Sequence, residues 1–598
     1  ISSDRYAYAS IRFANLRDVL LDAGLPQDNR VPEASVGVHM LADAPSTLFT
    51  PQRVRNLRMK EGLVAYFNGA SELFTTRDLM SRIRGGHNFS LIRFGAQLPG
   101  GHSEQLDGII ALNQETVDLH LPQLRPEGFL LMDTGIACED PRALRLDMAQ
   151  IAKGLGNQRA AGSVAVGAVL KLFGLALDKA GAADVLQKTL DPQHVAINVQ
   201  AVLAGYDKAP AKFEPQGGPA VGHMLISGNK ALSLGALAAG MQFYTAYPMS
   251  PATSILEYLA QQAQEAGIVV EQAEDEIAAI NMAIGASFAG GRAMTATSGG
   301  GFSLMVEALG LAGMAEIPLV VVNAQRPGPV TGLPTRTEQS DLQFIISASQ
   351  GEFPRMVIAL RNHADAFYQT IRAFNMAEKY QIPVVILTDQ YLADTTASVP
   401  LFDMGKVPPY QPEPAPIEGE YARYRYTDSG ISPRRYPGDP QAIVSADSDE
   451  HDEHGRIIED SETRIRMMQK RMGKLDLLAQ EVQEPDWLGD ENSEVLLVGW
   501  GSMHGPLAEA VALLNSRSGR RHAALVFGDL WPLPQKLLRR AADSARTVIN
   551  VEQNYTGQLA RLIRQETGIA MDAGILRYDG RQLTGEEIAR RVEKEVQP

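Results

Sequence analysis

Four stretches of this 598-residue sequence combine residue types that can do chemistry. The first is Tyr247-Pro248-Met249-Ser250-Pro251-Ala252-Thr253-Ser254. Its prolines fix a turn, and the hydroxyls of Ser250, Thr253 and Ser254 fall where a helix is predicted to begin, at about Ser254. Such a helix start suits an anion, a carboxylate or a phosphate, although the same hydroxyls could simply cap the helix. The second is Glu274-Asp275-Glu276, at the head of an otherwise apolar helical segment that reaches Ala289. These acids either complement the helix dipole in solvent or send one carboxyl inward to a cofactor ring nitrogen. The third, Asn323 to Glu338, offers Arg326 and Arg336 with Thr331, Thr335 and Thr337 on a scaffold stiffened by proline and glycine. Guanidinium forks match carboxylates, so the arginine pair suits a dicarboxylate; a solvated loop is the plain alternative. The fourth, Asp447 to His454, sets His451 and His454 among carboxylates. No third histidine-rich segment accompanies them, so a solvated or interface-forming loop is favoured over a metal.

The elements that must position these residues alternate between strand and helix. Ile268 to Glu271 reads as a strand, and Arg292 to Ser298 as another that runs into Gly299-Gly300-Gly301. Phe302 to Met314 reads as a helix, Pro318 to Asn323 as an apolar strand, His363 to Tyr380 as a helix and Pro383 to Leu387 as a strand. Strands this apolar, separated by helices, predict a parallel sheet covered on both faces. The arginine-bearing loop leaves the end of one such strand, where open α/β sheets bind ligands. Glu494 to Ser502 and Arg546 to Glu552 repeat the theme near the C-terminus, and Gly128 to Met132 with a helix over Val164 to Leu177 does so near the N-terminus. A Pro/Gly linker, Ala209 to Pro219, and an irregular stretch, Pro408 to Pro485, mark the boundaries. The irregular stretch ends in a charged helical pattern, Glu462 to Val482. The prediction is therefore α/β, in three domains: 1–208, 220–407 and 486–598, with 408–485 between the last two.

Composition narrows the function. The chain is 45% hydrophobic and 21% charged, which fits a globular protein of about three domains. With 55 basic and 70 acidic side chains it carries a net charge of −15, which argues against nucleic acid or an anionic membrane as partner. No run reaches the roughly 18 apolar residues of a membrane span, and Ile1 to Arg5 has no signal-peptide pattern. A single cysteine, Cys138, excludes an internal disulfide framework and leads to the expectation of a reducing, cytoplasmic setting. It also excludes a cysteine-ligated iron–sulfur cluster within these residues, since such clusters need about four thiolates.

Tyr247-Pro248-Met249-Ser250-Pro251 resembles the Tyr-Pro-Ile-Thr-Pro motif of the 2-oxoacid:ferredoxin oxidoreductases. Thr331-Gly332-Leu333-Pro334-Thr335 and Glu338-Gln339-Ser340-Asp341-Leu342 are similar to the α subunit of the 2-oxoglutarate member. Arg84-Gly85-Gly86-His87-Asn88-Phe89, Asp107 to Asn113 and Asn198 to Tyr206 resemble the family's γ domain. Gly430 to Arg434 and Glu450 to Glu453 resemble its interdomain segment, and Glu552-Gln553-Asn554-Tyr555-Thr556-Gly557-Gln558-Leu559 its transketolase-like C-terminal domain. The motifs occur in the family's order over most of the chain. Ser250 stands where the family usually has Thr, and the Gly-rich loop that usually opens the family's γ domain is not found ahead of Arg84.

The resemblance implies a fused γ–α subunit: a γ-type domain (1–208), a thiamine diphosphate pyrimidine-binding domain (220–407), an interdomain segment and a transketolase C-terminal-like domain (486–598). It implies oxidative decarboxylation of 2-oxoglutarate with CoA and ferredoxin, reversibly, in an (αβ)2 assembly. The β subunit would hold diphosphate, Mg²⁺ and a [4Fe-4S] cluster. No Gly-Asp-Gly start of a diphosphate motif occurs here, so the chain is expected to be inactive alone. In this reading Glu276 bonds the aminopyrimidine nitrogen and Arg326 binds the 1-carboxylate. Ser250, Thr253, Thr331 and Thr335 position the substrate, and Arg336 takes the distal carboxylate. Pyruvate or a branched 2-oxoacid is the rival substrate, and a non-catalytic scaffold the rival role.

Overall fold

Leu319–Gln325 and Pro383–Asp389 lie side by side as parallel strands, every residue of both buried. They are central in a seven-stranded sheet with the order Asp529–Trp531, Met356–Ala359, Pro383–Asp389, Leu319–Gln325, Ala293–Thr297, Phe243–Ala246 and Val269–Gln272. All pairs are parallel except that of the edge strand Asp529–Trp531. The side-chain period of two sends Leu319 and Val321 into a core on one face and Val320, Val322 and Ala324 into a second core on the other. Burial on both faces is why these strands read as continuous apolar runs. The computed structural model describes residues 72–81, 87–95, 98–177, 179–190, 192–213, 223–414, 416, 420–517 and 519–595. Arg84 to Gly86, and the linker from Glu214 to Pro219, lie outside them.

A five-stranded sheet follows, in the order Asp486–Gly489, His522–Phe527, Val495–Trp500, Thr547–Glu552 and Ala573–Leu576, with only the first strand antiparallel. Toward the N-terminus, Leu106–Ala111, Leu124–Met132 and Ala143–Arg145 form a parallel three-stranded sheet. The nearby helices Ala161–Leu172 and Pro192–Lys208 cross at two glycines, Gly167 against the Val202 carbonyl and Gly205 against the Val164 carbonyl, where no Cβ fits. The first of these helices is shorter than the predicted Val164 to Leu177. Gly174, with φ 64°, ends it, and the Leu175 N–H returns to the Leu170 carbonyl. The charged pattern Glu462 to Val482 likewise divides at Gly473 into Ser461–Met472 and Lys474–Leu478.

The units are less separate than their linkers suggest. A four-stranded antiparallel sheet joins Phe89–Gly95, Glu72–Asp78, Thr396–Pro400 and His223–Ser227, so strands from before residue 208 pair with strands from after 220. Asp529–Trp531 reaches from the C-terminal unit into the central sheet in the same way.

The connector is fastened by buried charge. Glu316, at the end of the helix Gly299–Met314, accepts from Lys470 at 2.5 Å and from Lys474, all three nearly inaccessible to solvent. Burial alone would raise the Glu316 carboxyl, but the two ammonium groups hold it well below its usual range. The acidic run turns inward beside them: Glu450 pairs with Arg471 and Arg464, and His451 is buried with its ring against Tyr424. Through these ion pairs the acidic run packs against the helix Ser461–Met472. Replacing Glu316 by Gln leaves two buried lysines without a counter-charge. A loss of about 3–5 kcal/mol is expected from chemical denaturation.

Candidate functional site

Two neighbouring strands define the site, because the chain leaves them in opposite directions. From Phe243–Ala246 it runs outward to Val269–Gln272, and from Ala293–Thr297 inward to Leu319–Gln325. The crevice beyond the carboxyl ends of such a pair is where open α/β sheets bind ligands. The turn Tyr247–Ser250, the glycine run after Thr297 and the loop beginning at Arg326 all open here.

Glu276 enters this crevice at the first position of the helix Glu276–Phe288. Asp275 caps that helix, accepting the Ala278 N–H at 2.7 Å, which leaves Glu276 to turn inward. Its side chain is 3% exposed, and Oε1 has no hydrogen-bond partner. Burial pushes the carboxyl above its ordinary value, and the neighbouring Thr297 hydroxyl opposes that shift. Leaving a buried acceptor unpaired costs on the order of 1–3 kcal/mol, a penalty that a ring nitrogen placed against Oε1 would remove. The carboxyl fits because Gly301 has no side chain: a Cβ there would collide with Glu276 Oε1 and with the Thr297 hydroxyl. The glycine run also begins the helix Gly299–Met314 three residues earlier than the predicted Phe302.

Thr297 Oγ1 lies 3.9 Å from the Met249 sulfur, and the next residue, Ser250, accepts from Arg326 Nη1 through its carbonyl at 2.7 Å. Arg326 is thus tied to the turn whose Met249 neighbours Thr297, and Thr297 with Glu276 flanks Gly301. Arg326 has no acidic partner among the described residues, and burial lowers its pKa. A half-buried guanidinium in that state can receive a carboxylate from outside the chain.

The hydroxyls do not cap the following helix. Thr253–Ala266 takes Ala252 as its N-cap without a side-chain bond, and Ser254 Oγ instead accepts from Asn229. Thr253 is half-buried at the first position of that helix, and Thr331 is exposed at the tip of the arginine-bearing loop.

Two residues of that loop have partners in the N-terminal region. Arg336 pairs with Asp78 at 2.5 Å, and Thr335 donates to the Leu79 carbonyl at 2.6 Å, so both fasten the loop to the N-terminal strand Glu72–Asp78. A guanidinium paired with a carboxylate has less charge to offer a second one. The Glu338 to Leu342 motif also has a partner that spacing does not reveal. Gln339 donates to the Trp500 carbonyl, its N–H to the Gln553 carbonyl, and its own carbonyl accepts from Asn554. Gln558 donates to the Ser340 carbonyl. The loop motif and the Glu552 to Leu559 motif are thus two sides of one contact. Thr297 and Gly301 were not singled out in the sequence; the glycine run after a strand was the available signal.

Comparison with known proteins agrees with this architecture. Residues 234–470 match the family model described as pyruvate flavodoxin/ferredoxin oxidoreductase, thiamine diphosphate-binding, and residues 63–208 match that of pyruvate ferredoxin/flavodoxin oxidoreductase. The chain is 32% identical to the alpha subunit of 2-oxoacid:ferredoxin oxidoreductase 2 of Aeropyrum pernix, over 88% of this chain and 93% of that one. It is 32% identical to the 2-oxoglutarate oxidoreductase subunit KorA of Mycobacterium tuberculosis, over 73% and 68%. Among solved structures, the 2-oxoglutarate:ferredoxin oxidoreductase of Magnetococcus marinus, with 2-oxoglutarate, coenzyme A and succinyl-CoA bound, superposes with a TM-score of 0.85 at 31% identity, covering 90% of this chain and 97% of that one.

Gly301→Ala is expected to drive Glu276 from its place. Thiamine diphosphate should then bind the assembled protein at least about tenfold more weakly, as read by calorimetric titration. Unchanged binding by a folded variant would show that the cofactor does not depend on this carboxyl.

Proposed function

This chain is a member of the 2-oxoacid:ferredoxin oxidoreductase family, and we propose that it is the α subunit of an enzyme that acts on 2-oxoglutarate. The reaction would join the succinyl portion of 2-oxoglutarate to CoA, release CO₂ and pass two electrons, one to each of two ferredoxins; run backwards, it carboxylates succinyl-CoA. The observation that carries this reading is the buried Glu276 carboxyl with its unpartnered oxygen, set at the sheet's switch point beside an arginine without an acid.

Thiamine diphosphate, when bound, supplies a nucleophilic ring carbon and a sink for the electrons left by decarboxylation. Glu276 would hold it. A carboxyl raised by burial shares its proton readily with a ring nitrogen against Oε1, and Thr297 and Gly301 keep that oxygen in place. Arg326, anchored by the Ser250 carbonyl, binds the 1-carboxylate of the substrate, with the Ser250, Thr253 and Thr331 hydroxyls lining its approach. With Arg336 engaged by Asp78, the distal carboxylate is left to a basic group of the partner chain.

A β subunit completes the enzyme in an expected (αβ)2 assembly. These residues offer one half-buried cysteine and no Gly-Asp-Gly, so diphosphate, Mg²⁺ and the [4Fe-4S] cluster belong to that partner. Around Glu276 the side chains of Ile277, Met282, Leu304 and Val330 are exposed, an apolar rim suited to a covering chain. Among the described residues no helix is long and apolar enough to cross a membrane. The domains at 1–208, 220–407 and 486–598 then serve as γ-type, pyrimidine-binding and transketolase C-terminal-like units, in an enzyme we place in the cytoplasm.

Reconstitution with the partner, thiamine diphosphate, Mg²⁺ and CoA, followed by ferredoxin reduction, tests this. Activity should be greatest with 2-oxoglutarate among 2-oxoglutarate, pyruvate and 2-oxobutyrate; inactivity with every 2-oxoacid would favour a scaffold. The Arg336–Asp78 pair supports a second reading, a broad 2-oxoacid range, since it removes the cation nearest in sequence from the distal carboxylate. Glu276→Gln should lower turnover at least about a hundredfold while the subunits still assemble. Arg336→Met should lower kcat/KM for 2-oxoglutarate and 2-oxobutyrate alike, because it loosens the loop and not a substrate contact.

A further inference from the structure

Residues 326–340 form a loop whose two ends are tied to one strand. At the far end Asp341 donates its N–H to Gln325 Oε1 at 3.1 Å, and its carboxylate accepts from Asn323 Nδ2 at 2.9 Å. Asn323 and Gln325 are two apart on Leu319–Gln325 and so share a face; Arg326 follows at once. Gln325 is itself held through its amide, which donates to the Thr388 carbonyl on the next strand.

The placement of the Asp341 carboxylate is unusual for its position. Asp341 precedes the short helix Leu342–Ile346 but makes no capping bond to it. It reaches instead to the start of the other helix, Gly299–Met314, where a Cβ on Gly299 would lie 2.5 Å from Oδ2. Ser298 makes no side-chain cap there. One residue therefore joins the base of the loop, the strand beneath it and the glycine turn against which Glu276 packs.

We propose that Asp341 is a positioning residue, which clamps the base of the loop and thereby sets where Arg326 stands for the 2-oxoacid carboxylate. This rests on the reading of Arg326 as the substrate cation. Asp341 touches neither Glu276 nor Arg326 by any hydrogen bond among the described residues, so it acts through Asn323, Gln325 and Gly299. Burial raises its own pKa while the Asn323 amide opposes the shift.

The test uses the reconstituted enzyme. Asp341→Ala should raise KM for 2-oxoglutarate at least about tenfold, the scale of a lost hydrogen bond to a charged group. The KM for CoA and the affinity for thiamine diphosphate should stay within about threefold. Asp341→Asn keeps an acceptor for Asn323 and the backbone tie, and should return KM to within about threefold of the parent. Arg326→Met should raise KM on its own, and adding Asp341→Ala to it should raise KM little further, because the clamp acts through that arginine. If CoA, cofactor and 2-oxoacid parameters all move together with Tm, or if the two substitutions are additive, the role of Asp341 is withdrawn. An unchanged KM in Arg326→Met withdraws the substrate role of Arg326 instead. Should Asp341→Ala fail to assemble, Asn323→Ala removes the donor to the Asp341 carboxylate and must show the same selective rise; a normal KM there overturns the proposal.

Discussion

A carboxyl group packed against a glycine sets the terms for the rest of this structure. Glu276 can be buried with an open oxygen only because Gly301 leaves it room, and Gly301 is placed by a helix that begins at Gly299, immediately beyond the end of a central strand. The sheet's change of winding direction brings that strand beside Phe243–Ala246, and hence Ser250 beside Arg326. Moving any of these elements by one residue of register would turn the carboxyl or its wall away from the crevice, since alternate residues of a strand face opposite sides.

The loop after Arg326 is held from several sides. Asp78 and Leu79 hold it on one side, Trp500, Gln553 and Asn554 on another, and Asn323 and Gln325 beneath. Most of these bonds go to backbone atoms or to buried amides, which leaves little freedom for the loop to slide. Val330 near its tip is the exception: it adopts φ 59° and is 85% exposed. A β-branched residue is strained in the left-handed region, and such strain gathers where a ligand or partner makes contact. The tip also lies against the start of the helix Gly299–Met314, since the Val330 carbonyl is 3.4 Å from where a Cβ on Gly300 would lie.

Charge is divided between holding the chain together and leaving the site open. The buried groups Glu316, Lys470 and Lys474 satisfy one another, as do Arg372 and Asp529, so each fastens one segment to another. Around the crevice the pattern is reversed: a carboxyl oxygen and a guanidinium are left without partners of opposite charge.

The sequence by itself determined the α/β class, because strands buried on both faces must be apolar throughout and helices between them must carry the crossovers. It also determined that Glu276 stands at a helix head and that Arg326 follows a parallel strand, since capping acids and strand ends are local signals. It also led to the expectation that any iron–sulfur cluster lies outside these residues, because one cysteine cannot supply four thiolates. Only the tertiary structure distinguishes the two arginines of the loop. Ten residues of sequence say nothing about Asp78, which approaches from 258 residues away and pairs with Arg336. The same holds for Gln339 and Gln553, each half of a contact that neither motif shows alone. Local chemistry is written in neighbouring residues, whereas the partner that occupies a side chain comes from wherever the fold brings the chain back.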